Sequence, residues 1–86
     1  SKDWRLQRRI EFYTWLKTQQ CKDCGNKDFR VLEFDHLSDK HFDVSKKMQS
    51  VLLETLMIEI NKCDVVCKNC HVIRTAERGN FYNYLI

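Results

Sequence analysis

Apolar residues recur at helical spacing through the first part of the chain, from Asp3 to about Gln19. They are Trp4, Leu6, Ile10, Phe12, Tyr13, Trp15 and Leu16. Asp3 is suited to cap the N-terminus of such a helix, and basic residues occupy the opposite face. The pattern predicts a basic, amphipathic N-terminal helix over residues 1–20 whose aromatic side chains pack into the core.

The apolar segments that follow are shorter and favour strands. "RVLEF" leads into Asp35 and His36, and "CDVVC" covers residues 63–67. Residues 38–48 between them are polar and predict a loop, after which Ser50 is placed to cap a helix that runs to about Asn61. The apolar stripe of that helix comprises Val51, Leu52, Leu56, Met57 and Ile60.

A last helix is predicted in "VIRTAER", and Gly79 is placed to end it. The chain has no proline and no low-complexity linker, so the 86 residues are expected to form one domain. We divide it into the N-terminal helix 1–20, a core over 21–78 and a tail over 79–86. Short strands alternating with helices predict an α+β fold.

Length and cysteine content indicate how such a small domain is stabilised. An 86-residue chain buries a limited core and usually needs a covalent or metal staple, for which five cysteines are available. No signal-peptide pattern opens the sequence, and its apolar runs are far shorter than the ~20 residues that span a bilayer. We therefore expect no membrane partner and a cytoplasmic, reducing compartment, in a bacterial or phage-encoded protein.

Four of the cysteines form two pairs, Cys21-x-x-Cys24 and Cys67-x-x-Cys70. This spacing lets one tight turn direct two sulfurs to a single ion, and two such turns complete a closed, structural zinc site. Two disulfides would need an oxidising compartment, and a thioredoxin-like redox pair would need a βαβ context. We predict a four-cysteine zinc staple, with Cys63 as a small buried residue of the second strand.

The charge of the chain is a weaker indication of its binding partner. The formal net charge is +3, and basic residues concentrate in the first segment. This distribution suits a polyanionic partner, although ordinary solvated helix faces explain it equally well.

Asp35, His36 and His71 are the candidates for chemistry. Successive strand residues point to opposite faces, so Asp35 and His36 can have different roles at one site. His71 directly follows the second cysteine pair, which a zinc ion would bring towards the end of the first strand. Asp35 and His71 could then hold a divalent cation, while His36 would act as a general base on water.

The motifs "LEFDH", "FDVS" and "EINKCDVVCKNCHVIRT" together closely resemble the HNH endonucleases. The resemblance runs from the basic first helix to about Thr75. It implies a zinc-stapled ββα-metal core with an added N-terminal helix and an inserted helix. It also implies a metal-dependent enzyme that nicks or cleaves DNA, most often double-stranded.

The resemblance assigns roles that agree with those derived from the residues. His36 would be the general base, and Asp35 and His71 would bind the catalytic cation, Mg²⁺ or Mn²⁺ in preference to Ni²⁺ or Zn²⁺. The family also has a middle asparagine that helps to orient the base. Asn69 in "CKNCH" is the preferred counterpart, with Asn61 as the alternative.

Three basic residues are candidates for phosphate contacts near the scissile bond, with plain surface charge as the alternative for each: Arg30, Lys40 and Arg74. His41 falls outside the motif. Two other functions stay open, a non-catalytic zinc-stabilised nucleic-acid-binding module and a protein-interaction zinc domain. No base-reading module is recognisable, so a nuclease would take its specificity from a homodimer or from a larger protein or nucleoprotein assembly.

Overall fold

The computed structural model describes residues 2–85, so Ser1 of the predicted N-terminal helix and Ile86 of the predicted tail lie outside it. The chain forms a small mixed α+β structure, as predicted. None of the helices within these residues has the length and apolar character that a membrane crossing requires. The elements are α1 (Lys2–Leu16), a 3-10 turn (Phe29–Val31), β1 (Leu32–His36), α2 (Val44–Lys47), α3 (Leu53–Ile60), β2 (Cys63–Cys67), α4 (Lys68–Gly79) and a second 3-10 turn (Asn83–Leu85).

The two strands pair antiparallel, with residues 37–62 as their long connection, and we call this pair the hairpin. It determines where the chemically active residues lie. Leu32 pairs with Cys67 at one end, and His36 pairs with Cys63 at the other. β2 continues directly into α4, which packs back against both strands. The first turn of α4 therefore lies beside the start of β1, and later turns follow β1 towards its end.

The core lies between α1, the hairpin and the segment that contains α2 and α3. Its buried members are Phe12, Leu16, Cys21, Leu32, Val44, Met48, Leu56, Val66 and Cys67. Trp15 stacks on Phe34 with ring centroids 6.1 Å apart, which joins α1 to the sheet. The predicted core face of α1 is confirmed for Phe12, Trp15 and Leu16, which are buried in the core or packed against it. Trp4, Leu6 and Ile10 of the same helix are exposed.

Two predicted helix starts were wrong. α1 begins at Lys2, so Asp3 lies within its first turn rather than at the N-cap. A negative charge in this turn still stabilises the helix, because it interacts favourably with the helix dipole. The N-cap of α3 is Leu52, and no side chain caps that end. Ser50 instead donates from its hydroxyl to the carbonyl of Lys47, because residues 48–50 form a turn after α2.

The predicted loop over residues 38–48 contains a short helix, α2. The polar composition of this segment gave no helical pattern. Val44 in α2 and Met48 directly after it are nevertheless both buried. The end of α4 was also mispredicted: Gly79 is its last residue, and Asn80 adopts the left-handed conformation that terminates it, with φ of 54°. A Cβ on Gly79 would meet the ring of Phe81, an exposed side chain, unless that ring shifts.

Candidate functional site

The two cysteine pairs meet at one place, as predicted. The sulfur atoms of Cys21, Cys24, Cys67 and Cys70 all lie within 4.8 Å of one another, and the sulfurs of Cys24 and Cys67 are 3.7 Å apart. Zn–S bonds of ~2.3 Å in a tetrahedron place the sulfurs about 3.8 Å apart. The four-cysteine cluster can therefore hold a metal ion such as zinc.

Backbone hydrogen bonds position both halves of this cluster. The amide of Gly25, at φ of 80°, donates to the carbonyl of Cys21 and closes the first turn. Cys67 ends β2 and caps α4, accepting at its sulfur from the amide of Cys70 at 3.4 Å. Burial raises the pKa of Cys21, but backbone donors that include the amides of Cys24 and Cys67 outweigh it and lower the pKa to about 6. A thiolate suited to metal binding is thus favoured at Cys21.

Cys63 lies outside the four-cysteine cluster. It is partly buried in β2, and its thiol donates to the backbone carbonyl of Glu59 at 3.4 Å. Burial and the charge of Glu59 raise its pKa to about 11. This thiol is a packing residue of the strand rather than a ligand, as its position in the sequence predicted.

Asp35 and His71 are brought together on the face of the hairpin covered by α4. The carboxylate of Asp35 is 2% exposed, and its Oδ1 lies 3.6 Å from Nε2 of His71. Arg78 donates two hydrogen bonds of 2.6 Å to this carboxylate, and Arg74 donates one of 2.7 Å. The bonds from Arg78 and then Arg74 lower the pKa of Asp35 to about 2, against the opposing effect of burial.

Glu33 orients the ring of His71. Its Oε1 lies 2.8 Å from Nδ1 of His71, and its Oε2 accepts from Lys68 at 2.9 Å. Burial raises the pKa of Glu33, but the bonds from Lys68 and His71 outweigh it, so the group is an acceptor. Nδ1 of a neutral His71 therefore carries the proton, and Nε2 presents a lone pair beside Asp35.

His36 lies on the opposite face of β1, in a second cluster. Its Nε2 is 2.9 Å from Oε2 of Glu59 on α3, and its side chain is only 10% exposed. Strand alternation separates it from Asp35, as expected from their adjacent positions. The structure thus unites Asp35 with His71 but places His36 in different surroundings at the end of the same strand.

Glu59 is the residue that sequence reasoning missed. It is 1% exposed and also accepts from the amide of His41 at 2.9 Å and from Lys62 at 3.0 Å. Burial alone would raise its pKa, but the bonds from His41, Lys62 and His36 lower it to about 2. The signal was its spacing: Glu59 follows buried Leu56 by three residues and so shares its inward face.

The predicted phosphate-binding residues have partners within the protein. Arg30 forms a bidentate pair with exposed Asp28, and Lys40 pairs with Asp43. Arg74 is more enclosed and bonds to three carboxylates: Asp23, Asp35 and Asp64.

Asn69 and Asn61, the two candidates for the middle asparagine, are both exposed. Asn69 lies in the first turn of α4 and Asn61 at the C-terminal end of α3. Within residues 2–85, the hydrogen-bond partner of the His36 ring is Glu59 rather than an asparagine. His41 is exposed, and its ring pairs with Asp39.

Comparisons with protein-family models, with curated proteins and with solved structures each find no match. The link to the HNH endonucleases therefore rests on the sequence motifs and stays a prediction.

Proposed function

We propose that this chain is a metal-dependent endonuclease of the HNH type that hydrolyses DNA phosphodiester bonds. The observation that carries the proposal is that Asp35 of β1 lies 3.6 Å from an oriented His71 in the first turn of α4, next to the four-cysteine cluster. The order of β1, β2 and α4, with Asp35 on the first strand and His71 on the helix, supports a ββα-metal core.

The donor set suits a divalent cation. A carboxylate oxygen and an imidazole nitrogen face each other, and Glu33 fixes the imidazole in the tautomer that a metal ligand needs. Such a set accepts Mg²⁺ or Mn²⁺, and also Ni²⁺ or Zn²⁺. When bound, the cation would supply Lewis-acid stabilisation of the phosphate and of the leaving oxygen.

Arg78 and Arg74 have a second task in this proposal. Both hold the carboxylate of Asp35, and Arg78 is the more exposed, with 51% of its side chain accessible against 18% for Arg74. Arg78 is thus the partner that Asp35 can exchange for a cation. A released guanidinium beside the site would then bind a phosphate oxygen of the DNA.

His36 acts as the general base. It removes a proton from a water molecule, whose oxygen attacks phosphorus while the bond to the 3′ oxygen breaks. The leaving 3′ oxygen takes a proton from solvent water, and His36 returns its proton to solvent. The products carry a 5′-phosphate and a 3′-hydroxyl. Because His36 and Asp35 lie on opposite faces of β1, the scissile phosphate has to lie across the end of the strand.

The four-cysteine cluster has a structural role, with zinc as its ion. It joins the turn before β1 to the junction of β2 and α4, and four thiolates leave no open position for a substrate. Recognition of a particular DNA site would come from a second copy or from a larger assembly that contains this domain.

A second candidate function is a zinc-stabilised nucleic-acid-binding module without catalysis. The observation that favours it is the state of the two clusters: Asp35 is already neutralised by Arg74 and Arg78, and His36 is held by Glu59. In that case these residues would serve folding, and exposed basic residues of α1 such as Arg5 and Arg9 would contact phosphates.

Cleavage of supercoiled plasmid separates the two functions. We expect the zinc-loaded protein to nick plasmid when Mg²⁺ or Mn²⁺ is added and to be silent without it. His36→Ala should lower the rate on the order of 100-fold or more, the contribution typical of a general base. His41→Ala is the matched control, since this exposed ring lies outside the motif and its backbone amide is retained.

Gel-shift binding of the same plasmid fragments completes the comparison. Binding by wild type and by His36→Ala, with cleavage by wild type alone, supports the nuclease. Binding without cleavage under any of the four cations would establish the second candidate. Equal cleavage by His36→Ala and His41→Ala would remove His36 from the mechanism.

A further inference from the structure

Glu59 is the most completely buried acidic group among the described residues, and the mechanism above does not use it. It is 1% exposed on a helix otherwise rich in apolar residues. A buried carboxylate is costly unless every oxygen is satisfied, so its surroundings show which role retains it. Its Oε2 is within 2.9 Å of Nε2 of His36 and accepts from the amide of His41 at 2.9 Å, while Oε1 accepts from Lys62.

We propose that Glu59 is the positioning residue of His36 and fixes its ring with the proton on Nε2 and the lone pair on Nδ1. This inference rests on the proposed function, because it states how the general base of that site is prepared. It replaces the middle asparagine, to which this task was assigned from the sequence, by a carboxylate on α3.

The tautomer follows from the chemistry of the pair. The bonds from the His41 amide, Lys62 and His36 keep Glu59 ionised, so neither of its oxygens carries a proton to donate. The 2.9 Å contact then requires Nε2 of His36 to be the donor. In the neutral ring this leaves Nδ1 as the proton acceptor, as a general base requires.

The position of Glu59 also explains why the ring is held firmly. The carboxylate bonds to the amide of His41 and, at a longer 3.5 Å, to the amide of Phe42, so it ties down the segment that follows β1. Lys62, in the turn directly before β2, bonds both to Glu59 and to the carbonyl of Asp39. His36 is thus held between α3 and this segment, with 10% of its side chain exposed.

The first measurement is the ¹⁵N NMR spectrum of His36 in the zinc-loaded protein, followed to a pH at which the ring has lost its second proton. We expect the pattern of a neutral ring protonated on Nε2, with Nδ1 shifted as an unprotonated nitrogen. Glu59→Gln removes the charge with little change in shape, and it should convert this pattern into a mixture of tautomers. Glu54→Gln, an exposed change in the first turn of the same helix, is the control and should leave the pattern as in wild type.

Glu59→Asp is a second variant that tests the proposal if Glu59→Gln does not fold. It keeps a charge for Lys62 and the backbone donors, but withdraws the carboxylate from His36 by one methylene. Zinc content and the amide spectrum establish that each variant is folded. The tautomer pattern is a readout that a purely structural role of Glu59 would leave unchanged in a folded variant.

Cleavage kinetics are the second measurement. We expect kcat to fall on the order of 10- to 100-fold in both Glu59 variants, the range seen when a group that orients a functional histidine is removed. KM for DNA should stay within about twofold, because Glu59 is buried away from any phosphate. Glu54→Gln should retain both constants.

The two proposals fail in different ways. An unchanged tautomer pattern in folded Glu59→Gln and Glu59→Asp, or a wild-type pattern with the proton on Nδ1, overturns the positioning inference whether or not the protein cuts DNA. A wild-type protein that shows the expected pattern yet cuts no DNA with any cation overturns the nuclease and leaves the effect of Glu59 on the ring established.

Discussion

At the scale of single residues, Asp35 shows how one side chain depends on a distant element. It is an acid in a strand, 2% exposed, and its charge is sustained by Arg78 and Arg74 one turn apart on α4. Removing one partner leaves a buried carboxylate short of donors, which costs more than the bond itself contributes. Half-exposed Arg78 can be removed without opening a cavity.

We expect Arg78→Ala to lower the free energy of unfolding at pH 7 by more than a surface substitution does, because the buried carboxylate of Asp35 loses two of its three arginine hydrogen bonds. Urea denaturation of the zinc-loaded protein measures it. Arg30→Ala is the matched control, because Arg30 also makes a bidentate pair, at 2.7 and 2.9 Å, but its partner Asp28 has a side chain 37% exposed, against 2% for Asp35. That control should change stability by no more than about 0.5 kcal/mol.

The same pair predicts a pH dependence with a definite sign. The pKa of Asp35 is lowered to about 2 in the folded protein, below the ~3.9 of an unfolded aspartate. Its contribution is therefore complete above about pH 4 and is lost as the pH falls towards 2. The difference between wild type and Arg78→Ala should be constant from pH 7 to 5 and shrink below pH 4. A difference that grows on acidification would contradict the assignment.

The sequence predicted the residue-level features that depend on near neighbours in the chain. It did not predict contacts between residues that are far apart in the chain. Because Asp35 and His36 are adjacent in a strand, the sequence predicted that their side chains lie on opposite faces. They do lie on opposite faces of β1 in the structure. The partners of each, Arg78 and Glu59, come from helices whose angle to β1 depends on packing. Local spacing carries no information on which arginine or glutamate reaches a given strand residue.

At the scale of elements, the end of α4 matters because Arg78 lies in its last turn. Asn80 has φ of 54°, and its amide donates to the carbonyl of Glu77. The amide of Phe81 donates to the carbonyl of Ala76 at 3.1 Å, which completes a Schellman motif. The left-handed residue at this position therefore helps to hold the turn that presents Arg78 to Asp35.

Asn80→Ala should lower the free energy of unfolding by about 1 kcal/mol, because a Cβ without a polar group disfavours the left-handed conformation. Asn80→Gly should be at least as stable as wild type, since glycine adopts this conformation without strain. Urea denaturation of the three proteins side by side tests the order. Equal stability of the alanine and glycine variants would show that the motif does not contribute.

The elements themselves were predictable where their pattern was regular. Both strands were predicted from short apolar segments, although Arg30 and Val31 of the predicted first strand lie in the 3-10 turn before β1. The longer helices around them were predicted from apolar spacing. The boundaries were not predictable where two residues compete for one role, as Gly79 and Asn80 do at the end of α4. α2 was missed because four residues with one buried valine leave no periodicity to detect.

At the scale of the whole molecule, the four-cysteine cluster connects the turn before β1 to the junction of β2 and α4, beside the bonds of Arg74 to Asp23 and of the Lys22 amide to the Val65 carbonyl. The turn before β1 and the start of α4 meet there, and α4 in turn carries His71, Arg74 and Arg78 to Asp35. The core is small, with nine buried hydrophobic residues among the described ones. A metal that binds only the folded arrangement adds its binding free energy to folding. Zinc should therefore control the stability of the domain and the geometry of the Asp35–His71 pair together.

Removal of the metal tests this dependence. We expect one zinc per chain, and a cobalt-substituted protein with the absorption of a tetrahedral thiolate site. Cys67→Ser should lower metal affinity by more than about 100-fold and leave the chain largely unfolded without excess zinc, because it removes one of the four predicted thiolate ligands. Serine still caps the N-terminus of α4, so the change isolates the loss of the metal ligand. Cys63→Ser is the matched control: it lies on the same strand, but its thiol bonds to the carbonyl of Glu59, so it should retain the metal. Denaturation midpoints with and without a chelator measure the effect, and equal midpoints for the metal-free and metal-loaded chains would show that the core suffices without the staple.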